Sequence, residues 1–329
     1  MMSDNNKIFH LIGRRFTLNG AQAVRKKKSQ AVLTTIRKDI WLYIMLIPGV
    51  LHYLIFKYLP MWGILIAFKD FNAYLGFFDS PWVGFKHFAD FFSNPDFKRL
   101  LANTLTISFY NLIFGFPAPV IMALMLNEIR KEWYKRSIQT LVYIPHFISW
   151  VIIASLTYTM FNSGGVVNRY LMQMGRDTAV PFLTSESTFR GMIIGQTIWK
   201  ETGFGTIIYL AALSGVDPQL YEAAIIDGAN RFKQLWYITL PSIKSTVVTL
   251  LILRLGHILD NGFDQIFLMS NSLNRKVSEV FDVYVYTIGI TRGAFSYSTA
   301  VGLFKGVIGI ILIYSANWLA KKVGESGLF

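Results

Sequence analysis

The sequence predicts an all-α, polytopic membrane protein with six transmembrane helices and both termini inside (N-in/C-in). Three observations predict it. First, 16% of the 329 residues are charged and 53% are hydrophobic, against roughly 25% charged in a soluble domain. Second, three runs are long and almost free of charge: 41–68, 100–127 and 137–168. About 20 helical residues suffice to cross the hydrocarbon. Third, the formal charge of +13 is spread unevenly along the chain. On a membrane protein such a bias sets topology, so nucleic acid is not needed to explain it.

The elements follow in order. Residues 1–39 form a basic cytoplasmic arm with the cluster Arg25, Lys26, Lys27 and Lys28. No small-residue cleavage site follows a short hydrophobic core there, so the arm is expected to be retained. The first span, 41–68, is interrupted only by Lys57, with Pro48 and Pro60 as kinks. Spans two and three are the charge-free runs Leu100–Asn127 and Ser137–Asn168. Three further spans, about 190–213, 245–269 and 296–320, carry charge inside them: Lys200 and Glu201; Arg254, Asp260 and Asp264; Lys305. The six-helix transmembrane core is thus 40–320, followed by a cytoplasmic tail, 321–329. With the N-terminus inside, cytoplasmic segments hold 18 of the 32 Lys and Arg, which supports that orientation. The outer segments are longer and rich in aromatics, as in SPWVGFKHFADFF, and suit a short interfacial helix.

Several chemistries are excluded. The chain has no cysteine, hence no disulfide, thiolate zinc site or thiol catalysis. The phosphate-cradling pattern GxxxxGK[ST] is absent, as are HExxH, GxSxG and any His/acid cluster at metal-ligand spacing. No catalytic and no metal-binding residues are expected, and no cofactor in this chain.

The loop between spans four and five, about 213–244, reads GVDPQLYEAAIIDGANRFKQLWYITLPSIKS. Asp217 and Pro218 look like a helix start. Leu220 to Ile226 can form two helical turns, and Gly228 suits a sharp reversal. Ala229 to Leu240 can form a second helix, and Pro241 then opens the next span. Such a helix–turn–helix is a rigid protrusion suited to touching a partner.

Glu222, Ala223 and Ala224, then Gly228 six residues after the Glu, then Ile238, Leu240 and Pro241 resemble the EAA motif of bacterial ABC-importer permeases. Asp227 and Ala229 fit its EAAxxDGA form. The stretch VGFKHFADFFSNPDFKRLLANTL resembles the approach to that family's second span, and IWKETGFGTIIYLAALSGVDPQLYEAA its fourth. YIPHFISWVIIASLTYTMFNSGGVVNRYL is similar to the third span of the branch importing oligo- and polysaccharides. The likeness covers about residues 40–320; the basic arm departs from it, and a topology-setting, lipid-contacting tail competes there with a regulatory role.

The resemblance implies a division of labour. Two permease subunits form the pathway in the bacterial inner membrane, and the resemblance favours a related but different pair (a heterodimer) over two identical copies. Two cytoplasmic ATP-binding subunits bind ATP and Mg, and a periplasmic or extracellular solute-binding protein delivers the substrate. Glu222 matches the motif acid that meets a basic residue of the ATPase. Gly228 matches the turn glycine, and Ala223 and Ala224 the small residues that permit close docking.

Charges at membrane depth are costly and usually face a bundle interior or an aqueous cavity. On a continuous fifth span at 100° per residue, Arg254, His257, Asn261, Asp264 and Gln265 share one arc, with Asp260 beside it. Span four places Gln196 and Lys200 on one face, near Trp199 and Glu201, with Gly203 and Gly205 allowing a local break. Two readings stay open for these residues: a wall of the substrate path, or a polar network that holds the bundle together. Tyr158 and Trp199 are candidate sugar contacts or packing aromatics, and His52 and His146 read as packing residues. Lys200 and Arg254 would tolerate an acidic sugar polymer such as alginate, although Asp260 and Asp264 on the same face weigh against it. A rival function is an ion-coupled secondary transporter, disfavoured because the two halves show no evident symmetry.

Overall fold

The computed structural model describes residues 38–324, 327 and 328; the cluster Arg25 to Lys28 therefore lies outside the described residues. The chain divides into two compact units, 1–64 and 65–329. The described residues are helical except for turns and one isolated bridge between Lys69 and Trp82.

The first unit contains most of α1, Ile40–Phe68, which is apolar on all sides, as a lipid-facing helix is. A wide π turn at Leu54–Tyr58 holds Lys57 and directly precedes Pro60. Proline removes one amide donor and crowds the preceding turn, so the helix relaxes there instead of ending. The His52 ring packs on Phe56, with centroids 5.1 Å apart.

In the second unit, α2 spans Phe97–Asn127. It too carries a π turn, Asn111–Gly115, just before Pro117 and Pro119. The third charge-free run is not one helix. It divides into α3, Glu132–Tyr143, a tight turn at Ile144–Phe147 around Pro145, and α4, Trp150–Phe161. Ser149 caps α4 by accepting from the Ile152 amide at 3.4 Å.

Helix α5, Glu186–Ser214, is 29 residues long and runs unbroken through Gly203 and Gly205. The expected local break is absent because these glycines serve another purpose. A Cβ at 203 would lie 2.0 Å from the Val142 carbonyl oxygen, and one at 205 would lie 3.0 Å from Pro119. Small residues let α5 approach α3 and α2 at backbone distance.

Next come α6, Pro218–Ile226, and α7, Arg231–Gly256. The fifth span, expected to be continuous to 269, is interrupted. After Gly256 the chain leaves the helix at His257, turns through Gly262 at φ +79°, and resumes as α8, Phe263–Met269. Only glycine adopts that φ without strain, so the arc drawn for 254–265 does not extend past Gly256. Helices α9, Phe281–Tyr286, and α10, Phe295–Lys322, complete the unit. α7 and α10 touch where a Cβ on Gly309 would lie 2.6 Å from the Gly256 carbonyl.

The core has three parts. Ile107, Phe189, Ile193, Ile266 and Val280 join α2, α5, α8 and the approach to α9. Phe91, Leu100, Phe281 and Val301 join α2, α9 and α10. Ala123, Tyr209, Leu213 and Ile243 hold α2, α5 and α7 together near the 215–239 loop. Among the described residues, five helical segments are long and apolar enough to cross a membrane: Ile40–Phe68, Phe97–Asn127, Trp150–Gln173 (α4 continued past a turn by a short helix, Val166–Gln173), Arg231–Gly256 and Phe295–Lys322. Helix α5 has the length, but Glu186, Arg190, Lys200 and Glu201 reduce its hydropathy.

Candidate functional site

The loop after α5 is built from the cap upward. Asp217 accepts from the Gln219 amide at 2.9 Å, and Pro218 occupies the first turn, where no amide donor is needed. Glu222, Ala223 and Ala224 lie in the middle of α6. Gly228 closes it at φ +75°, with Gly228 N donating to Ile225 O at 3.0 Å and Ala229 N to Ala224 O at 2.8 Å. This left-handed closure satisfies helix-end carbonyls. Asn230 then caps α7 by accepting from the Lys233 amide at 2.9 Å.

No residue of α6 is buried. Glu222, Ala223 and Asp227 face outward and Ala224 is half-buried. Beside them stand exposed Leu220, Ile225, Phe232, Trp236 and Tyr237, and Ile226 is 86% exposed. The second helix does not stop at Pro241. It passes through a π turn at Leu235–Thr239, containing Ile238, and continues across Leu240 and Pro241. The π turn takes up the missing proline amide. Tyr221 OH and Thr239 Oγ1, 3.0 Å apart, fasten α6 to this turn.

The polar residues at span depth divide into three groups. One group is committed to the breaks. Lys200 is 7% exposed, and its Nζ donates to the carbonyls of His146 at 2.5 Å and Ile148 at 2.7 Å, with the Trp150 ring at 5.5 Å. Those carbonyls belong to the turn between α3 and α4. Glu201 pairs with His146 Nδ1 at 3.0 Å, and the His146 ring stacks on Phe204 at 4.1 Å. Asn261 similarly holds the break in span five. Its Nδ2 donates to Thr104 O at 3.1 Å, and Ser108 Oγ lies 2.9 Å from its Oδ1 and also against Ile258 O, sharing one proton between the two acceptors. Gln265 donates to Ile193 O at 2.8 Å and to Gln196 Oε1 at 3.0 Å, and Gln196 donates to Thr157 Oγ1 at 2.8 Å. This chain joins α4, α5 and α8.

A second group surrounds a cavity of about 410 Å³ between α2, α5 and α7. Arg254, Glu201, Asn111, Thr202, Phe204 and Tyr209 line it. The Arg254 guanidinium has no hydrogen bond or ion pair among the described residues, and Glu201 lines the same cavity. Asn111 Oδ1 and Thr202 Oγ1 are buried and lack partners. The third group lines a separate cavity of about 410 Å³ beside Gly302, Gly306 and Gly309. There Lys305 binds Asp260 at 2.8 Å and also Asp282, while His257 Nδ1 lies 3.2 Å from Asp260. Asp264 is exposed in the first turn of α8, and Trp199 is exposed on α5.

Residues 115–325 match the family of binding-protein-dependent transport system inner membrane components. The chain belongs to this family. The permease is 57% identical to Protein LplB of Bacillus subtilis (strain 168) over 318 residues, covering 94% of this chain and 100% of LplB. It is 50% identical over 306 residues to the polygalacturonan/rhamnogalacturonan transport system permease protein YteP of the same organism, covering 93% and 95%. Among solved structures it is similar to a chain of a bacterial ABC transporter involved in the import of the acidic polysaccharide alginate. That match has a TM-score of 0.81 at 41% identity and covers 89% of this chain and 99% of the other. As an inner membrane component the permease is a multi-pass membrane protein, and it is not itself an enzyme. Membership in a binding-protein-dependent family gives the ion-coupled alternative no support.

The structure brings Arg254 and Glu201 to one cavity of the permease and His257 and Asp260 to another. It ties Gln196, Lys200, Asn261 and Gln265 into contacts between helices. Sequence reasoning missed Asn111, Thr202 and Asp282. The signal for Asn111 was present: an amide in a charge-free span, at the start of the π turn that precedes Pro117 and Pro119, where the helix widens. On the side of α5 opposite the loop, Glu279 accepts from Arg99 at 2.5 Å and Arg275 at 2.8 Å. This hydrogen bond and charge raise the Arg275 guanidinium above its ordinary value.

Proposed function

We propose that the permease forms half of the pathway of an ATP-driven importer for an oligo- or polysaccharide rich in uronate units. It spans the membrane six times, α5 being one of the spans, with both termini in the cytoplasm. A second, related permease completes the pathway and two ATPase subunits bind ATP and Mg. A solute-binding protein presents the sugar; a relative with 40% identity is described in a complex with an alginate pentasaccharide-bound periplasmic protein. Helix α6 docks on the ATPase through Glu222 and the exposed apolar side chains around it. The capped, wholly unburied α6 supports that role.

The observation that carries the acidic substrate is Arg254. An arginine at membrane depth without a partner is a functional group by default. It lines a cavity together with Glu201, Asn111 and Thr202. A uronate supplies the matching chemistry, a carboxylate for the guanidinium. The polygalacturonan and alginate systems among its relatives support the same class.

The test is ATP hydrolysis by the reconstituted complex, stimulated by its binding protein over a panel of oligogalacturonate, oligoalginate and neutral maltooligosaccharide. Uronate chains are expected to stimulate, and Arg254→Gln to lower that stimulation about ten-fold, the worth of one hydrogen-bonded charge pair. Stimulation by neutral chains alone would overturn the acidic reading.

A further inference from the structure

Loop 215–239 is joined covalently to α5 and α7, but one ion pair also ties it to α2. Arg231 Nη1 lies 2.7 Å from Glu128 Oε2. Among the described residues, no other side chain of 215–239 forms a hydrogen bond or ion pair with a different part of the chain. Both partners stand at the electrostatically unfavourable end of their helices. Glu128 is the C-terminal cap of α2, where the helix dipole is negative. Arg231 opens α7, where the dipole is positive. The two side chains are about half exposed, at 57% and 48%, and an exposed pair returns no more than those two placements lose. Helix stability therefore does not account for either charge.

We propose that Glu128–Arg231 is a brace that carries movement of the coupling loop into α2, with Glu128 and Arg231 as positioning residues. The inference rests on the reading of α6 as the ATPase contact. Helix α2 is a suitable recipient of that movement. Its Asn111 lines the Arg254 cavity, and its Thr104 and Ser108 hold Asn261 in the break of span five. The brace thus gives the loop a second route to the polar groups at span depth, besides the direct one along α7.

Charge reversal tests it cleanly, because each reversed residue suits its own helix end better than the native one. The full complex is reconstituted in nanodiscs with its binding protein, saturated with whichever of tetragalacturonate, alginate tetrasaccharide or maltotetraose stimulates the unaltered complex most. Glu128→Arg and Arg231→Glu are each expected to lower the ratio of stimulated to basal ATP hydrolysis about five-fold, and the double reversal to restore it to within about two-fold. The subunits should co-elute in unchanged stoichiometry throughout. Unaffected single variants, a double variant no better than the worse single, or loss of the ATPase from a single variant would each overturn the brace. If a reversed permease is not recovered as a folded chain, Glu128→Gln and Arg231→Gln replace it. Each is then expected to cost about two-fold and the pair together no more than either alone; additive losses would overturn the proposal. Glu222→Lys is run alongside. Full stimulation in that variant removes the coupling reading itself, whereas its loss with harmless Glu128 and Arg231 changes removes only the brace.

Discussion

Loop 215–239 and the two breaks at span depth use polar groups in opposite ways. In the loop, backbone groups are satisfied locally by Asp217, Gly228 and Asn230, which leaves Glu222 and Asp227 free on an unburied helix. At the breaks, long-range side chains satisfy the backbone. Lys200 reaches carbonyls 54 and 52 residues away, and Asn261 reaches Thr104, 157 residues away. Water can serve a frayed backbone at the loop but not within the hydrocarbon. A charge in a span is therefore as readily a clamp for irregular backbone as a contact for substrate.

The comparison predicts which property each change alters. The largest stability effect is expected from Lys200→Met, which leaves two carbonyls of the α3–α4 turn without a donor. Loss of the charged hydrogen bonds is worth about 3 kcal/mol, a fall of roughly 8 °C in the thermal midpoint of the detergent-purified permease. Lys200→Arg should recover part of it. An unchanged midpoint would make Lys200 a pathway residue after all. The smallest effect is expected from Gly228→Ala. Holding an L-residue in the left-handed region costs about 1 kcal/mol, so α6 loosens at its C-terminal end. Stimulated ATP hydrolysis should fall by about three-fold, with the thermal midpoint within about 2 °C.

Different parts of this arrangement were legible to different degrees. The loop could be read nearly whole, because its caps and turn are local: Asp217 with Gln219, Asn230 with Lys233, Gly228 with its own helix. Helices α2 and α10 followed from hydropathy alone. Span three and span five were misread as continuous, since an apolar run looks the same whether or not its helix is interrupted, and Pro145 and Gly262 act through backbone geometry that hydropathy does not register. Gly203 and Gly205 read as helix breakers because what they accommodate, Val142 and Pro119, belongs to other helices. For Lys200 and Gln265, burial and partners depend on how α5 packs against the α3–α4 turn and against α8, so their face on an isolated helix is misleading. Arg254 is the exception. A charge within an apolar run was enough to single it out, and the structure leaves it unpaired.

The central claim is that this permease takes its energy from an ATPase through α6. It is tested most directly by the ratio of stimulated to basal ATP hydrolysis in the reconstituted complex carrying Glu222→Lys. The expected result is loss of stimulation by at least about ten-fold, with a thermal midpoint within about 1 °C of the unaltered complex, because Glu222 is exposed and supports no packing. Undiminished stimulation with Glu222→Lys would contradict the account.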